Sequence, residues 1–194
     1  MTVPATPLPA ASKDRLAKLL KERSYEDRKV TLASGRESDF YLDCKQTTLH
    51  PEGLYLVGRF FLDAVRSGPK PVRAVGGPTL GSDPIAAACA VVSWLDGAPM
   101  PAFIIRKEPK GHGTRAWVEG AKFLEYGTPI AIVEDVVTTG GSSLKAAGHA
   151  KEAGLDVVKI VALVDRDEGA AAAIRAAGYV FESILTIHEV RRAT

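Results

Sequence analysis

Apolar residues recur along this chain in two rhythms. Near the start, Leu16, Leu19 and Leu20 fall on one side of a helix among Lys and Arg residues, with Ser12 placed to cap it. Val30 to Leu42 then reads as two short strands around Ser34-Gly35-Arg36. Beyond this, strand-like runs alternate with helical ones. A helix opens at Pro51 and runs to about Val65; Val72 to Val75 is a strand, Pro84 to Leu95 a helix, and Ala102 to Arg106 a strand. After an interruption come a strand from Ile130 to Val133, a helix from Ser142, a strand from Val157 to Val164, an Ala-rich helix from Glu168 and a last strand near Val180 to Ile187. Such alternation predicts an α/β fold whose mostly parallel sheet is covered on both faces. Residues 1–11, rich in Pro, Ala and Thr with neither a basic start nor a continuous apolar stretch, are expected to be a disordered tail rather than a targeting segment, leaving residues 12–194 as one domain.

Composition narrows the function classes. A chain of 194 residues with 46% hydrophobic content can bury a core without disulfide or metal staples. A formal net charge of +2 provides no global field toward nucleic acid or membrane, so neither is expected as a partner and any basic character must be local. Cys44 and Cys89 form no C-x-x-C and have no metal-like spacing with the four histidines, as expected of a reduced, cytoplasmic protein. Cys89 lies inside the apolar run Ile85 to Val92 and belongs to the core, whereas the pattern assigns Cys44 no role.

The segment Ile130-Ala-Ile-Val-Glu-Asp-Val-Val-Thr-Thr-Gly-Gly-Ser-Ser143 carries the chemistry. An apolar strand runs into two adjacent carboxylates, Glu134 and Asp135, and then a Gly/Ser/Thr turn opens a helix, so Glu134 to Gly141 falls at a strand's carboxyl end, where open α/β sheets bind ligands. Gly140 and Gly141 allow close backbone approach, the Thr and Ser hydroxyls can donate, and the free N–H groups of a helix start favour an anion. A phosphate fits that turn. The two acids would repel it if they pointed in, so they are expected to accept hydrogen bonds from neutral hydroxyls such as those of a ribose. The competing reading, a solvated strand end, leaves the coincidence of these features in one unit without a purpose. No Walker motif and no G-x-G-x-x-G after a strand competes for the phosphate.

The interruption Arg106-Lys-Glu-Pro-Lys-Gly-His-Gly-Thr-Arg115 has four fixed positive charges and a histidine among two Gly and one Pro. It is too broken for a helix and too polar to pack, so it is expected to be a mobile surface loop. Basic surface loops are common, but this density of charge also suits a diphosphate leaving group, and such loops close over substrates to exclude water.

Apolar strand, two acids, two apolar residues, Thr, a small residue, Gly and small hydroxyl residues: this order resembles the phosphoribosyl diphosphate (PRPP) motif of type I phosphoribosyltransferases. Arg106-Lys107-x-x-Lys110-x-His112-Gly113 is close to the flexible-loop signature of the orotate phosphoribosyltransferases. Thr31 to Asp43 resembles that family's amino-terminal orotate segment, Val75 to Pro84 its diphosphate loop, and Val164-Asp-Arg-Asp-Glu-Gly169 the segment whose arginine meets the orotate carboxylate. By itself Arg166 reads as a surface salt-bridge residue. The resemblance spans the chain from about Arg15 onward. It departs from the family at Glu134, where many members have Asp, and at Ala33 and Gly81, where some bacterial members have lysines.

The resemblance implies the type I phosphoribosyltransferase fold, a twisted sheet flanked by helices with a small amino-terminal hood and a flexible loop. It also implies transfer of phosphoribosyl from PRPP to N1 of orotate in pyrimidine synthesis. Asp135, Lys110 and His112 are the candidate catalytic groups. PRPP contacts are expected from Arg106, Lys107, Lys110, His112, Glu134, Asp135, Val136, Val137, Thr138, Thr139, Gly140, Gly141 and Ser142, and orotate contacts from Phe40, Tyr41, Thr138 and Arg166. Mg²⁺ is expected to be held mainly by PRPP and water, with no firm protein ligand. A homodimer whose loop 106–115 reaches the neighbouring site is implied too. The alternatives are a purine-base phosphoribosyltransferase, which would share the PRPP motif but not the Arg106 to Gly113 loop or the Phe40-Tyr41 segment, and a non-catalytic regulator that keeps the fold and binds nucleic acid, which would call for a broad basic face.

Overall fold

The computed structural model describes residues 12–31, 37–68, 70–109 and 117–194. The expected tail 1–11, Ala33 to Arg36 of the hood, and Lys110, His112, Gly113 and Arg115 of the basic loop lie outside these residues.

Six strands form the central sheet in the order β10-β9-β8-β5-β6-β7. They are β5 (Ala74–Pro78), β6 (Ala102–Ile105), β7 (Val118–Glu119), β8 (Pro129–Val137), β9 (Asp156–Asp165) and β10 (Val180–Thr186). All pairings are parallel except β6 with β7. The central strands are buried on both sides, and their alternation sorts side chains between two cores. Val133, Val161 and Leu163 face α3 (Pro51–Arg66) and α4 (Ser82–Leu95), while Ile130, Ile132 and Ile160 face α5 (Gly141–Glu152) and α6 (Ala170–Ala176). Cys89 is fully buried in the first of these cores.

From β5 the chain passes through α4 to β6 on one side, then returns to place β8 on the other side of β5. The direction of winding therefore reverses between β5 and β8. Their carboxyl ends diverge there into a crevice, the usual ligand position in open α/β sheets. The two strands approach closely at Gly77, where a Cβ would lie 1.9 Å from the Val133 carbonyl oxygen.

Over the crevice stands the hood. Helix α1 (Ser12–Arg23) buries Leu16, Leu19 and Leu20 as its apolar stripe requires, and Ser12, the first described residue, is already helical. β2 (Val30–Thr31) and β3 (Glu37–Ser38) pair antiparallel where two short strands were expected. β1 (Tyr25–Glu26) and β4 (Tyr41–Leu42) form a second small ladder, followed by α2 (Lys45–Thr48).

Several boundaries differ from the sequence reading. β8 runs on to Val137, because β9 continues beside it and pairs Glu134 with Ala162 and Val136 with Val164. Both acids are thus strand residues. The last strand stops at Thr186, where a capping box with Glu189 starts α7 (Ile187–Arg192). Two-residue strands β1 and β7 and the single turn α2 are too short to leave a periodic signal. Among the described residues no helix is long and apolar enough to cross a membrane.

Candidate active site

A cleft of about 570 Å³ opens at the β5–β8 crevice. Its walls are Pro78 to Gly81 after β5, Arg106 and Lys107 after β6, Glu134 and Asp135 on β8, Ser142 and Lys145 on α5, and Lys45 from the hood.

Glu134 is buried and turned toward the helix start. Its Oε2 accepts from Ser143 Oγ at 2.7 Å and more weakly from Ser142 Oγ at 3.5 Å. Burial pushes its carboxyl up to about 7, only partly opposed by the Ser143 hydrogen bond. This corrects one expectation: Glu134 does not point away from the turn but braces it from within, and Ser142, counted as a phosphate donor, shares its hydroxyl with that carboxylate. Asp135 takes the other direction along the pleat. It accepts from the Val136 N–H at 2.9 Å, and burial raises its pKa as well, against the lowering influence of that hydrogen bond and of Lys45. A Cβ at Gly81 would sit 2.3 Å from Asp135 Cγ. The carboxylate is therefore packed flat against bare backbone.

The turn that follows is shaped for an anion. Gly140 adopts the left-handed conformation at φ 82°, and any side chain there would crowd Ile174 at 3.1 Å. Thr138 and Thr139 precede it with partly open and open side chains, and α5 begins at Gly141. Val137 is buried in the α5-side core, so of this residue the turn can offer only main chain.

Two of the candidate base residues, Phe40 and Arg166, meet one strand away. Arg166 follows β9, and its N–H donates to the Val137 carbonyl at 3.0 Å, tying it to the phosphate turn. Its guanidinium donates to Ser38 Oγ and to Glu168 Oε1, each at 2.8 Å, and lies 4.2 Å from the Phe40 ring centre. Only 5% of that side chain is exposed, so the surface salt bridge suggested by sequence alone is replaced by a buried, oriented cation. Tyr41 packs beneath Arg28 at 4.4 Å. Phe40, Tyr41, Thr138 and Arg166 are not among the residues lining the cleft; Phe40 and Arg166 pair with each other, while Tyr41 packs against Arg28 and the Thr138 carbonyl accepts from the Ala170 N–H.

Several residues that belong to no motif complete the surroundings of the site. Tyr25 stacks on Phe40 with centroids 5.6 Å apart, and Arg191 of α7 donates to Tyr25 Oη at 2.7 Å while lying 4.9 Å from the Phe40 ring centre. The Thr186-x-x-Glu189 capping box was a readable signal for α7, though not for where Arg191 would point. On the loop side, Arg106 N–H donates to the Trp117 carbonyl at 2.9 Å and its guanidinium pairs with Glu119 at 3.0 Å. The Trp117 ring stacks on His149, another cleft residue, at 3.6 Å. Cys44 is fully buried, its Sγ 3.9 Å from the Asp135 carbonyl oxygen, and burial holds its thiol well above the ordinary range. It is a packing residue under the site.

Comparison with known proteins gives a consistent picture. No family model matches the chain. An orotate phosphoribosyltransferase from Sorangium cellulosum is 51% identical over 177 residues, 91% of this chain and 92% of that protein. One from Nostoc is 41% identical over 97% of this chain and 90% of its own length. Among solved structures, the Mycobacterium tuberculosis orotate phosphoribosyltransferase in complex with PRPP matches with a TM-score of 0.74 and 34% identity, covering 93% of this chain and 99% of that one. An adenine phosphoribosyltransferase from Leishmania donovani, 19% identical at a TM-score of 0.65, shares the fold alone. With the fold of a type I phosphoribosyltransferase and relatives this similar along nearly its whole length, the chain belongs to the orotate phosphoribosyltransferase family.

Proposed function

We propose that this protein transfers the phosphoribosyl group of PRPP to N1 of orotate, forming orotidine 5′-monophosphate and diphosphate in the synthesis of pyrimidine nucleotides. The observation that carries the reading is the Glu134 to Ser143 strand-turn-helix at the sheet's switch point, tied through the Val137 carbonyl to an arginine stacked on an aromatic ring. A ring face beside a planar guanidinium suits a flat base bearing a carboxylate. That pairing favours orotate over a purine, which has no carboxylate to meet Arg166.

The reaction is a displacement at C1: the C1–N1 bond forms from one face as the C1–O bond to diphosphate breaks on the other. No protein nucleophile is required, and the orotate ring N–H is acidic enough to lose its proton without a strong base. Catalysis then rests on position and charge. The turn from Val136 to Ser142 holds the phosphate through main-chain N–H groups and hydroxyls, with Glu134 bracing it. Asp135 grips the ribose hydroxyls and steadies the positive charge that develops on the sugar. Arg106, Lys107, Lys110 and His112 stabilise the departing diphosphate. Mg²⁺ fits this donor set: Glu134 is already engaged by serine hydroxyls, so the ion would be held by the diphosphate and water, with Asp135 as the oxygen donor for its water shell. When bound it neutralises phosphate charge.

The active form is a cytoplasmic homodimer of one catalytic domain, residues 12–194, with loop 106–115 serving the neighbouring site. Support for a dimer comes from an apolar face on α3 and α4, where Tyr55, Val91, Trp94 and Leu95 are exposed. Incubating the protein with PRPP and Mg²⁺ and, in turn, orotate, adenine, hypoxanthine or uracil tests the activity; consumption of orotate alone is expected, and consumption of a purine instead would overturn the reading. Exchanging subunits between Lys110→Ala and Asp135→Asn proteins tests the shared loop. Mixed dimers should recover activity that neither parent has, because one site in each combines an intact loop with an intact Asp135. Verified heterodimers no more active than the parents would return the loop to its own subunit.

A further inference from the structure

We propose that Lys45 of the hood is a PRPP-binding residue, supplying the fixed positive charge on the diphosphate side of the cleft that the loop after β5 cannot carry. The inference rests on the PRPP reading above.

The cleft poses an electrostatic problem. Its floor holds two adjacent carboxylates, and its proposed substrate is a polyanion, so cations must stand close to Asp135. The loop Pro78 to Gly81 is poorly placed to provide one. At Gly81 even a Cβ would fall 2.3 Å from both Asp135 Cγ and Oδ2, so no side chain fits while Asp135 keeps its position. Among the described residues four fixed cations line the cleft: Arg106 and Lys45 each have an acidic partner, Glu119 and Asp43, while Lys107 and Lys145 are exposed. Lys45 enters from the hood, half-buried, and stands where its charge acts on Asp135.

Its position is held from below. Cys44 is buried under the Asp135 main chain, and Thr47 and Thr48 are fully buried, Thr47 sharing a hydrogen bond with Ser24 at 2.7 Å. The Lys45 ammonium donates to Asp43 Oδ1 at 2.5 Å, and that hydrogen bond raises its pKa, keeping it charged. With 41% of the lysine side chain exposed, the pair is weak enough for a phosphate to compete for the ammonium. A compact point charge with three donors suits phosphate oxygens.

The test is direct binding of PRPP in the presence of Mg²⁺ to the parent, Lys45→Met and Lys45→Arg proteins, with orotate KM and thermal midpoint measured alongside. Loss of a charge-assisted contact should raise the PRPP Kd of Lys45→Met by roughly ten- to a hundredfold. Orotate KM should stay within about twofold, the thermal midpoint should hold, and Lys45→Arg should recover most of the affinity. The methionine protein should also show a shallower fall of PRPP affinity with salt, since one charge contact is gone. A Lys45→Met protein that binds PRPP as the parent does, or one whose loss the arginine fails to recover while both remain folded, overturns the assignment. If the parent itself does not bind PRPP, the functional reading fails and the Lys45 assignment falls with it, whereas a failure confined to Lys45→Met leaves the functional reading standing.

Discussion

From Glu134 to Ser143 the phosphate side of the cleft is one uninterrupted strand, turn and helix start, whereas the Phe40 ring gathers its partners from distant parts of the chain. Tyr25 comes from the first hood strand, Arg166 from the end of β9, and Arg191 from the last helix. On the first side the decisive geometry is local: Gly140 turns, Ser143 meets a glutamate nine residues before it, and the helix begins. On the second it depends on the hood and sheet being docked. A continuous motif should therefore fail through its own residues, while an assembled one should also fail through residues that never touch the ligand.

The largest effect should come from the local side. Asp135→Asn removes charge where the sugar becomes positive and should lower kcat by roughly 10²–10³-fold, with orotate binding changed far less. Steady-state kinetics with both substrates varied would show it; parent-like turnover would remove Asp135 from the ribose.

On the assembled side, Arg166→Ala should raise orotate KM by roughly ten- to a hundredfold, as expected for a charge-assisted hydrogen bond, while PRPP affinity stays nearly intact. Lysine at this position should rescue poorly, since it cannot reproduce the planar fork that reaches Ser38 and Glu168 together. An unchanged orotate KM would leave Arg166 a structural ion pair.

Gly81→Ala tests whether the local side depends on a neighbouring loop. The added methyl must displace the Asp135 carboxylate or the loop, at a cost of roughly 1–3 kcal/mol, and kcat should fall about tenfold. Normal turnover and an unchanged melting midpoint would mean that Asp135 is held elsewhere.

The smallest effect is one of stability against pH. Glu134 has its carboxyl raised from 4.5 to about 7 by burial, so the folded protein holds its proton more tightly than the unfolded chain. Its contribution is complete below about 4.5 and is lost as pH rises through about 7. Glu134→Gln keeps an uncharged acceptor for Ser143, and relative to the parent it should gain on the order of 1–3 kcal/mol between pH 5 and 8. Denaturant melts at both values measure this, and parallel pH dependence in the two proteins would contradict it.

The same contrast explains which features were legible. Glu134 to Ser142 could be read as one strand-end, turn and helix start because neighbouring residues fold into neighbouring positions. Yet the polar pair suggested a strand ending at Val133, while main-chain pairing with β9 carries it to Val137. Polarity marks where side chains leave the core, not where a ladder stops. Lys45 left no motif to find, since its meaning comes from a loop and a strand far along the chain. Arg191 was hidden for the same reason, and the reading of Ile187 as strand had also passed over the capping box that begins its helix.

By itself the sequence determined the alternating strands and helices, the glycine-bearing turn after β8 and the family, because periodicity, glycine placement and contiguous motifs act over a few residues. Only the tertiary structure decided that Glu134 braces the turn with burial pushing its carboxyl up to about 7, that Arg166 is buried against Phe40, and that Lys45 and Asp135 line one cleft. Burial and the distances between remote charges are properties of packing, and packing brings together segments whose separation along the chain carries no trace of their contact.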